Sequence, residues 1–415
     1  MDNALTYHCT VDFNLTRRLL QWAESRFLHF CLFRHHDIAY PYGGFPEKFF
    51  AGNDTFSLSE IKSYTGVNTL VGIIGYDYKN EVEMLESNNQ APVQCPETLF
   101  FEAELSIEFL PDGIKLLHAD AASLLAEFLH FHDDACLNPL VKVIPLTSKE
   151  GYLQAVQSIQ QHIVEGDMYE LNYCMGFEFS HSEWQPIQGY LDLMDISPMP
   201  FSAFFKSGDL CLICASPERF LKKEGATLLA QPIKGTSRRG RDPEEDFLLR
   251  EALLNSEKER AENLMIVDLM RNDLAKVSKS GTVSVPELFG VYPFKNVFQM
   301  ISTVQSRMKS QLSLEDILKA TFPMGSMTGA PKIKCMELID KYENFKRGWF
   351  SGALGVVEGN GNFDFNVVIR SIIFDYQSRK GYFAVGSAIT FDADPLAEYE
   401  ECLLKAAPIM KVLGG

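Results

Sequence analysis

The stretch FSGALGVVEGNGNFDFNVVIRSIIFDYQSRKGYFAVGSAI, residues 350–389, holds three apolar runs split by two turn sequences. The runs 350–358, 363–374 and 382–389 are rich in β-branched and aromatic residues and read as strands. Gly359-Asn-Gly-Asn362 and Gln377-Ser-Arg-Lys-Gly381 favour chain reversal, because glycine and asparagine tolerate positive φ. The predicted unit is an antiparallel meander. Its middle strand would put Asp364, Asn366, Val368 and Arg370 on one face, since strand side chains alternate. An arginine in mid-strand needs an anion: Asp364, a nearby glutamate, or the carboxylate of a bound molecule.

Working outward, the same alternation of short strands with helices fills the chain and predicts an α+β fold rather than a doubly wound sheet. Residues 13–33 carry helical spacing (Leu15, Leu19, Leu20, Trp22, Phe27). Residues 69–77 read as a strand with close-packing glycines, and 99–109 with 113–119 as paired strands around Pro111-Asp112-Gly113. A polar strip with Pro139 and Pro145 marks a boundary between an N-terminal α+β region, 1–145, and a second region, 146–415. Beyond it, Ser148 opens a helix, 169–179 is a strand with Glu170 near its start, and 211–220 is an apolar strand running into Glu218. Asp242-Pro243 and Asp394-Pro395 are N-cap and first-turn pairs, and Ser256 with Glu259 forms a capping box. Residues 322–332 form a glycine-rich loop that opens a helix, an anion-binding arrangement without a P-loop ending.

Composition excludes several classes. The 415 residues carry a formal charge of −17, which argues against nucleic acid and anionic membranes as partners. The opening residues lack the basic and apolar parts of a signal peptide, no apolar run reaches membrane-spanning length, and the expected location is the cytoplasm. Nine cysteines are scattered; Cys211 and Cys214 form the one CxxC, inside an apolar run, and read as buried thiols. His35, His36, His130 and His132 lie in different segments without matching carboxylates.

Three features carry candidate chemistry. In Gln231-Pro-Ile-Lys234-Gly-Thr236 a lysine sits between an apolar run and a basic loop. It reads either as a surface lysine or as an amine whose proton affinity is weakened by apolar surroundings. Glu218 reads as a turn carboxylate paired with Arg219 or as an acid at the end of a buried strand. Glu259 and Glu262 share one helical face, and Glu398, Glu401 and Lys405 share another. Such faces suit a metal ion or plain solvent.

Taken together, Gly166-Asp-Met-Tyr, Ala215-Ser-Pro-Glu218-Arg-Phe, Pro232-Ile-Lys-Gly-Thr236, Lys258-Glu-Arg-Ala-Glu262 with Asp268-Leu-Met-Arg-Asn-Asp273, Phe322-Pro-Met-Gly with Gly329-Ala-Pro-Lys332, Ser351-Gly-Ala-Leu-Gly355, Ile369-Arg370 and Glu398-Tyr-Glu-Glu401 with Lys405 resemble the chorismate-utilising enzymes. The resemblance covers roughly residues 145–413. It implies a large β-sandwich with outer helices, its halves interleaved, and a site between the sheets. It implies magnesium held by Glu262 and Glu401 with Glu259 and Glu398 in support. It makes Glu218 the general acid, and gives Arg370, Lys405, Gly235, Thr236, Ser326, Gly386 and Gln299 to substrate binding. Lysine at 234, where anthranilate synthases typically carry alanine, resembles the aminodeoxychorismate synthases. There, a lysine attacking ring carbon 2 of chorismate prepares carbon 4 for ammonia, on the way to p-aminobenzoate and folate. The chain shows no glutaminase nucleophile motif, so a separate glutamine amidotransferase subunit is the expected partner. Gln299 stands where many relatives have histidine. Glu170 stands where isochorismate synthases place a water-activating lysine, which argues against water as the nucleophile.

Overall fold

Four times the chain passes directly from one sheet into another, with no helix between the two strands. The computed structural model describes residues 3–61 and 68–414, which build a twelve-stranded and a ten-stranded antiparallel sheet with helices outside them. Met1 and Asp2, at the start of the segment read for a signal peptide, lie outside the described residues. The sheets face each other through aromatic side chains. Phe101 of the second sheet meets Phe205 of the first at 6.2 Å between ring centroids, and residues of both sheets belong to one hydrophobic core. The α+β sandwich with outer helices is therefore present.

Strands before residue 145 pair directly with strands after it. His29–Arg34 lies beside Phe201–Ser207 in the first sheet, and Leu70–Ile74 beside Ala353–Val357 in the second. The N-terminal stretch thus supplies strands to both sheets. Gly72 belongs to this arrangement: a Cβ there would lie 2.0 Å from the Phe100 ring.

The crossings correct several strand assignments. The predicted strand 363–374 is two: Phe363–Asn366 in the second sheet and Ser371–Asp375 in the first. The meander is accordingly two hairpins in opposite sheets, Ala353–Val357 with Phe363–Asn366 and Ser371–Asp375 with Lys380–Ile389. Asp364 and Arg370 do not share a strand face. Likewise 211–220 divides into Leu210–Ser216 and Arg219–Glu224, and 99–109 into Thr98–Glu102 and Leu105–Leu110. The linking residues Val367 and Val368 are fully buried, so the apolar run continues unbroken through the change of sheet. The helix expected over 13–33 stops at Arg26, and His29–Arg34 is a strand.

Helix starts follow the predicted caps. Asp242 accepts from the Glu245 amide and Asp394 from the Ala397 amide. Ser256 accepts from the Glu259 amide at 3.3 Å, but its own amide donates to the Leu253 carbonyl. The capping box is half formed, which leaves the Glu259 carboxylate turned to a cavity described below.

One buried cation fastens neighbouring strands of the second sheet to the loop at residues 41–43. Arg219 does not pair with Glu218; it grips both Asp364 oxygens at 2.8 and 2.9 Å and donates to the Gly43 carbonyl at 2.7 Å, to Gln231, and to Pro41. Its guanidinium lies over the Phe201 ring of the first sheet. Removing it leaves a buried carboxylate without its partner. Arg219→Ala should cost about 3–5 kcal/mol in urea unfolding; a loss below about 1 kcal/mol would show that the clamp is dispensable.

Candidate functional site

Two of the crossings lie side by side. The Val367 amide donates to the Glu218 carbonyl at 3.0 Å, and the Ala215 amide to the Arg370 carbonyl at 3.1 Å. Pro217 and Glu218 from one crossing and Ile369 and Arg370 from the other line one gap in the fold. That gap is a cavity of about 870 Å³. Glu218 comes from one crossing and Arg370, with φ at +53°, from the other.

Lys234 reaches the same cavity through a β-bulge. Between Ile233, opposite Ile301, and Thr236, opposite Gln299, the strand Ile233–Arg238 carries one residue more than its partner. Such a bulge re-aims a side chain. Gly235 makes it possible with φ at +97°, and a Cβ there would press on Glu259, Met300 and Leu253. The Lys234 side chain is only 10% exposed, so it is not a surface lysine. Its amine lies 3.0 Å from Glu170, the first residue of the strand Glu170–Ser180 in the opposite sheet.

The electrostatics correct one expectation. Burial opposes a charge on Lys234, but Glu170, Glu262 and Glu218 outweigh it, and the amine holds its proton more tightly than a free lysine. Apolar surroundings do not activate it in this state. Glu218 behaves in the opposite sense. Complete burial pushes its carboxyl up to about 7, against the pull of the Ser326 hydroxyl, the Ile233 amide, Lys234 and Lys405. A carboxyl in that range can hold a proton near neutrality and give it up.

The helices Glu257–Val277 and Pro395–Leu413 bring Glu259, Glu262, Glu398 and Glu401 to the cavity. Burial and neighbouring carboxylates raise Glu259 and Glu398, and burial takes Glu262 up to about 7. Burial also works on Glu401, but Lys405 at 2.7 Å outweighs it and holds that carboxylate below its usual range. Glu262 Oε1 is buried without a hydrogen-bond partner. This oxygen-only set wants a cation and fits magnesium. Among the described residues, the group of three or more His, Cys, Asp or Glu side chains whose ligand atoms all lie within 4.8 Å of one another is His162, Glu165 and Asp167, outside the cavity. No three of the four glutamates meet that closely, an arrangement that suits an ion keeping several of its own waters.

Every residue proposed from the sequence for catalysis, substrate or metal lines this one cavity: Gly235, Thr236, Ser326, Gly386, Gln299, Arg370 and Lys405 join those already described. Lys405 donates to the Gly386 carbonyl at 2.9 Å. Gln299 Oε1 is buried with no partner of its own. His35, His36, His130 and His132 are absent from the lining, and all nine cysteines are unpaired. Sequence reading passed over Lys258 and Asn263. Asn263 is buried, donates to the Lys234 carbonyl at 3.2 Å and accepts from Ser302, so it fixes the bulge. Its place inside the Lys258–Asp273 motif was the available signal.

Residues 46–411 match the chorismate binding enzyme family. The chain belongs to that family. As a chorismate binding enzyme it is 45% identical over 269 residues to the probable chloroplastic aminodeoxychorismate synthase of Oryza sativa subsp. japonica, covering 64% of this chain and 30% of that protein. It is 39% identical over 350 residues to aminodeoxychorismate synthase component 1 of Escherichia coli (strain K12), covering 83% and 76%. Anthranilate synthase component 1 of Acetivibrio thermocellus is 37% identical over 266 residues, covering 64% and 53%. The chain thus spans less than half the length of its plant relatives and about three quarters of the Escherichia coli one. The crystal structure of anthranilate synthase component I from Streptococcus pneumoniae TIGR4 shares the fold, with a TM-score of 0.77 at 23% identity over 99% of this chain and 92% of that one. Among the described residues no helix is long and apolar enough to cross a membrane.

The Glu218 shift has a measurable sign. A carboxyl raised from an ordinary 4.5 to about 7 by folding favours the folded state at low pH, and that advantage is lost as pH climbs through 7. Relative to wild type, Glu218→Gln should therefore gain roughly 2–3 kcal/mol between pH 5 and pH 9 in metal-free urea unfolding. A difference that stays flat with pH would contradict it.

Proposed function

We propose that this chain converts chorismate and ammonia to 4-amino-4-deoxychorismate through a covalent adduct on Lys234, on the route to p-aminobenzoate and folate. The observation that carries this reading is the bulge that turns Lys234 into the cavity lined by Glu218, with its amine 3.0 Å from Glu170. Glu170 takes the proton from the Lys234 amine, and the free amine attacks ring carbon 2. The ring double bonds shift, the hydroxyl leaves carbon 4, and Glu218 supplies the proton that makes it water. Ammonia then adds at carbon 4, the double bonds return, and the lysine amine leaves carbon 2. The sum is chorismate plus ammonia giving the aminated product and water. Glu218, now ionised, is positioned to take the surplus proton from the new amine.

Arg370 and Lys405 bind the enolpyruvyl carboxylate, with Gln299, Thr236, Ser326 and the backbone at Gly235 and Gly386 around the ring. Magnesium, held by Glu262 and Glu401 with Glu259 and Glu398 behind them, supplies charge that neutralises the ring carboxylate. Ammonia comes from a glutamine amidotransferase partner, in keeping with the component 1 name of the bacterial relative. The reaction belongs in the cytoplasm. A second reading, anthranilate synthesis, is favoured by the Acetivibrio relative's name. Lys234 speaks against it, since its amine competes with ammonia for carbon 2.

Incubation with chorismate, ammonium and magnesium should yield a product that keeps the enolpyruvyl group; fluorescent anthranilate would select the second reading. Lys234→Ala should lose at least about a hundredfold in rate, and wild-type turnover in that variant would end the covalent mechanism. Glu218→Gln should lose about 10²–10⁴-fold in kcat with little change in KM.

A further inference from the structure

Lys258 is the second residue of the helix Glu257–Val277, with glutamates on either side. A helix N-terminus carries partial positive charge and favours anions in its first turn. A lysine there works against its own helix and needs a separate reason. The reason lies across the cavity. The Lys258 amine is 3.5 Å from Glu398 of the helix Pro395–Leu413 and 3.8 Å from Glu262 on its own helix. Glu398 and Glu262 are 4% and 12% exposed at the side chain, whereas Lys258 is 50% exposed. A half-solvated cation therefore stands between two carboxylates that are largely shielded from water, in the space that the proposed function gives to a divalent ion.

From this geometry we infer that Lys258 is a resident counter-cation of the glutamate cluster, exchanged outward when magnesium arrives. The inference rests on the metal assignment made above. A surface pair at positions i and i+4 would explain the Glu262 contact alone. It would not explain the cross-helix contact to Glu398. An ammonium and a divalent ion cannot share the pocket, because each is drawn by the same oxygens and repels the other. The long lysine stem lets the amine withdraw to water at the cavity mouth. In the metal-free protein Lys258 keeps the clustered carboxylates from driving the two helices apart, and in the loaded protein its work is taken over.

The test uses magnesium chloride alone, with calorimetric titration of the wild type, Lys258→Gln and Lys258→Arg. Lys258→Gln should bind magnesium about fivefold or more tightly, and Lys258→Arg no more tightly than wild type. Thermal unfolding supplies a second readout. Without magnesium Lys258→Gln should melt below wild type, and saturating magnesium should close the gap. Equal or weaker magnesium binding by Lys258→Gln, or a melting deficit that persists in magnesium, would overturn the exchange and leave a merely structural pair. If wild type and Lys258→Gln both fail to bind magnesium, the metal assignment itself falls, and the inference with it.

Discussion

The hydrogen bond from the Val367 amide to the Glu218 carbonyl fastens together two segments that belong to neither ladder. Each segment is the short link by which a strand leaves one sheet for the other. Strand residues spend their backbone groups on neighbours and alternate their side chains between faces. Link residues escape both constraints, and here they escape in the gap between sheets. Glu218 and Arg370 gain their common cavity from this pairing. The bulge at Lys234–Gly235 adds the third group by a related device, one unpaired residue in an otherwise regular ladder. Irregular backbone thus supplies the groups where chemistry is proposed, and the regular sheets around it make it rigid.

Charge follows from the same geometry. A chain of net −17 places glutamates from two helices and Glu170 from a strand around one lysine. Burial raises the cost of each ionised carboxylate, and Glu218 and Glu262 both settle near neutrality. Lys234, Lys258, Lys405 and Arg370 are the cations set against them. Because Glu170 comes from the opposite sheet, the charge state of Lys234 depends on how the two sheets are held.

What was legible in the sequence were the groups themselves. Motifs around Lys234, Glu218 and the glutamate helices named residues that do line one cavity, because each sits at a bulge, a crossing or a capped helix start with its own local signature. Partners were harder to read. Arg219 beside Glu218 invited a local pair, yet its carboxylate is Asp364, far along the chain. Lys234 looked prone to lose its proton because its flanks are apolar, while the groups that hold the proton arrive from other elements. The change of sheet within 211–220 and 363–374 was invisible for a simpler reason. Both inner faces and the links are buried, so the apolar pattern does not record which sheet a residue joins.

The interleaving of early and late strands bears on how the chain can be made. As it leaves the ribosome, His29–Arg34 lacks one of its neighbours until Phe201–Ser207 has been synthesised, and Leu70–Ile74 until Ala353–Val357 has. Pairings so distant in sequence close large loops and form slowly. Until those later strands are made, the early ones carry unpaired, apolar edges, the condition under which chaperones hold a chain and strand edges find wrong partners.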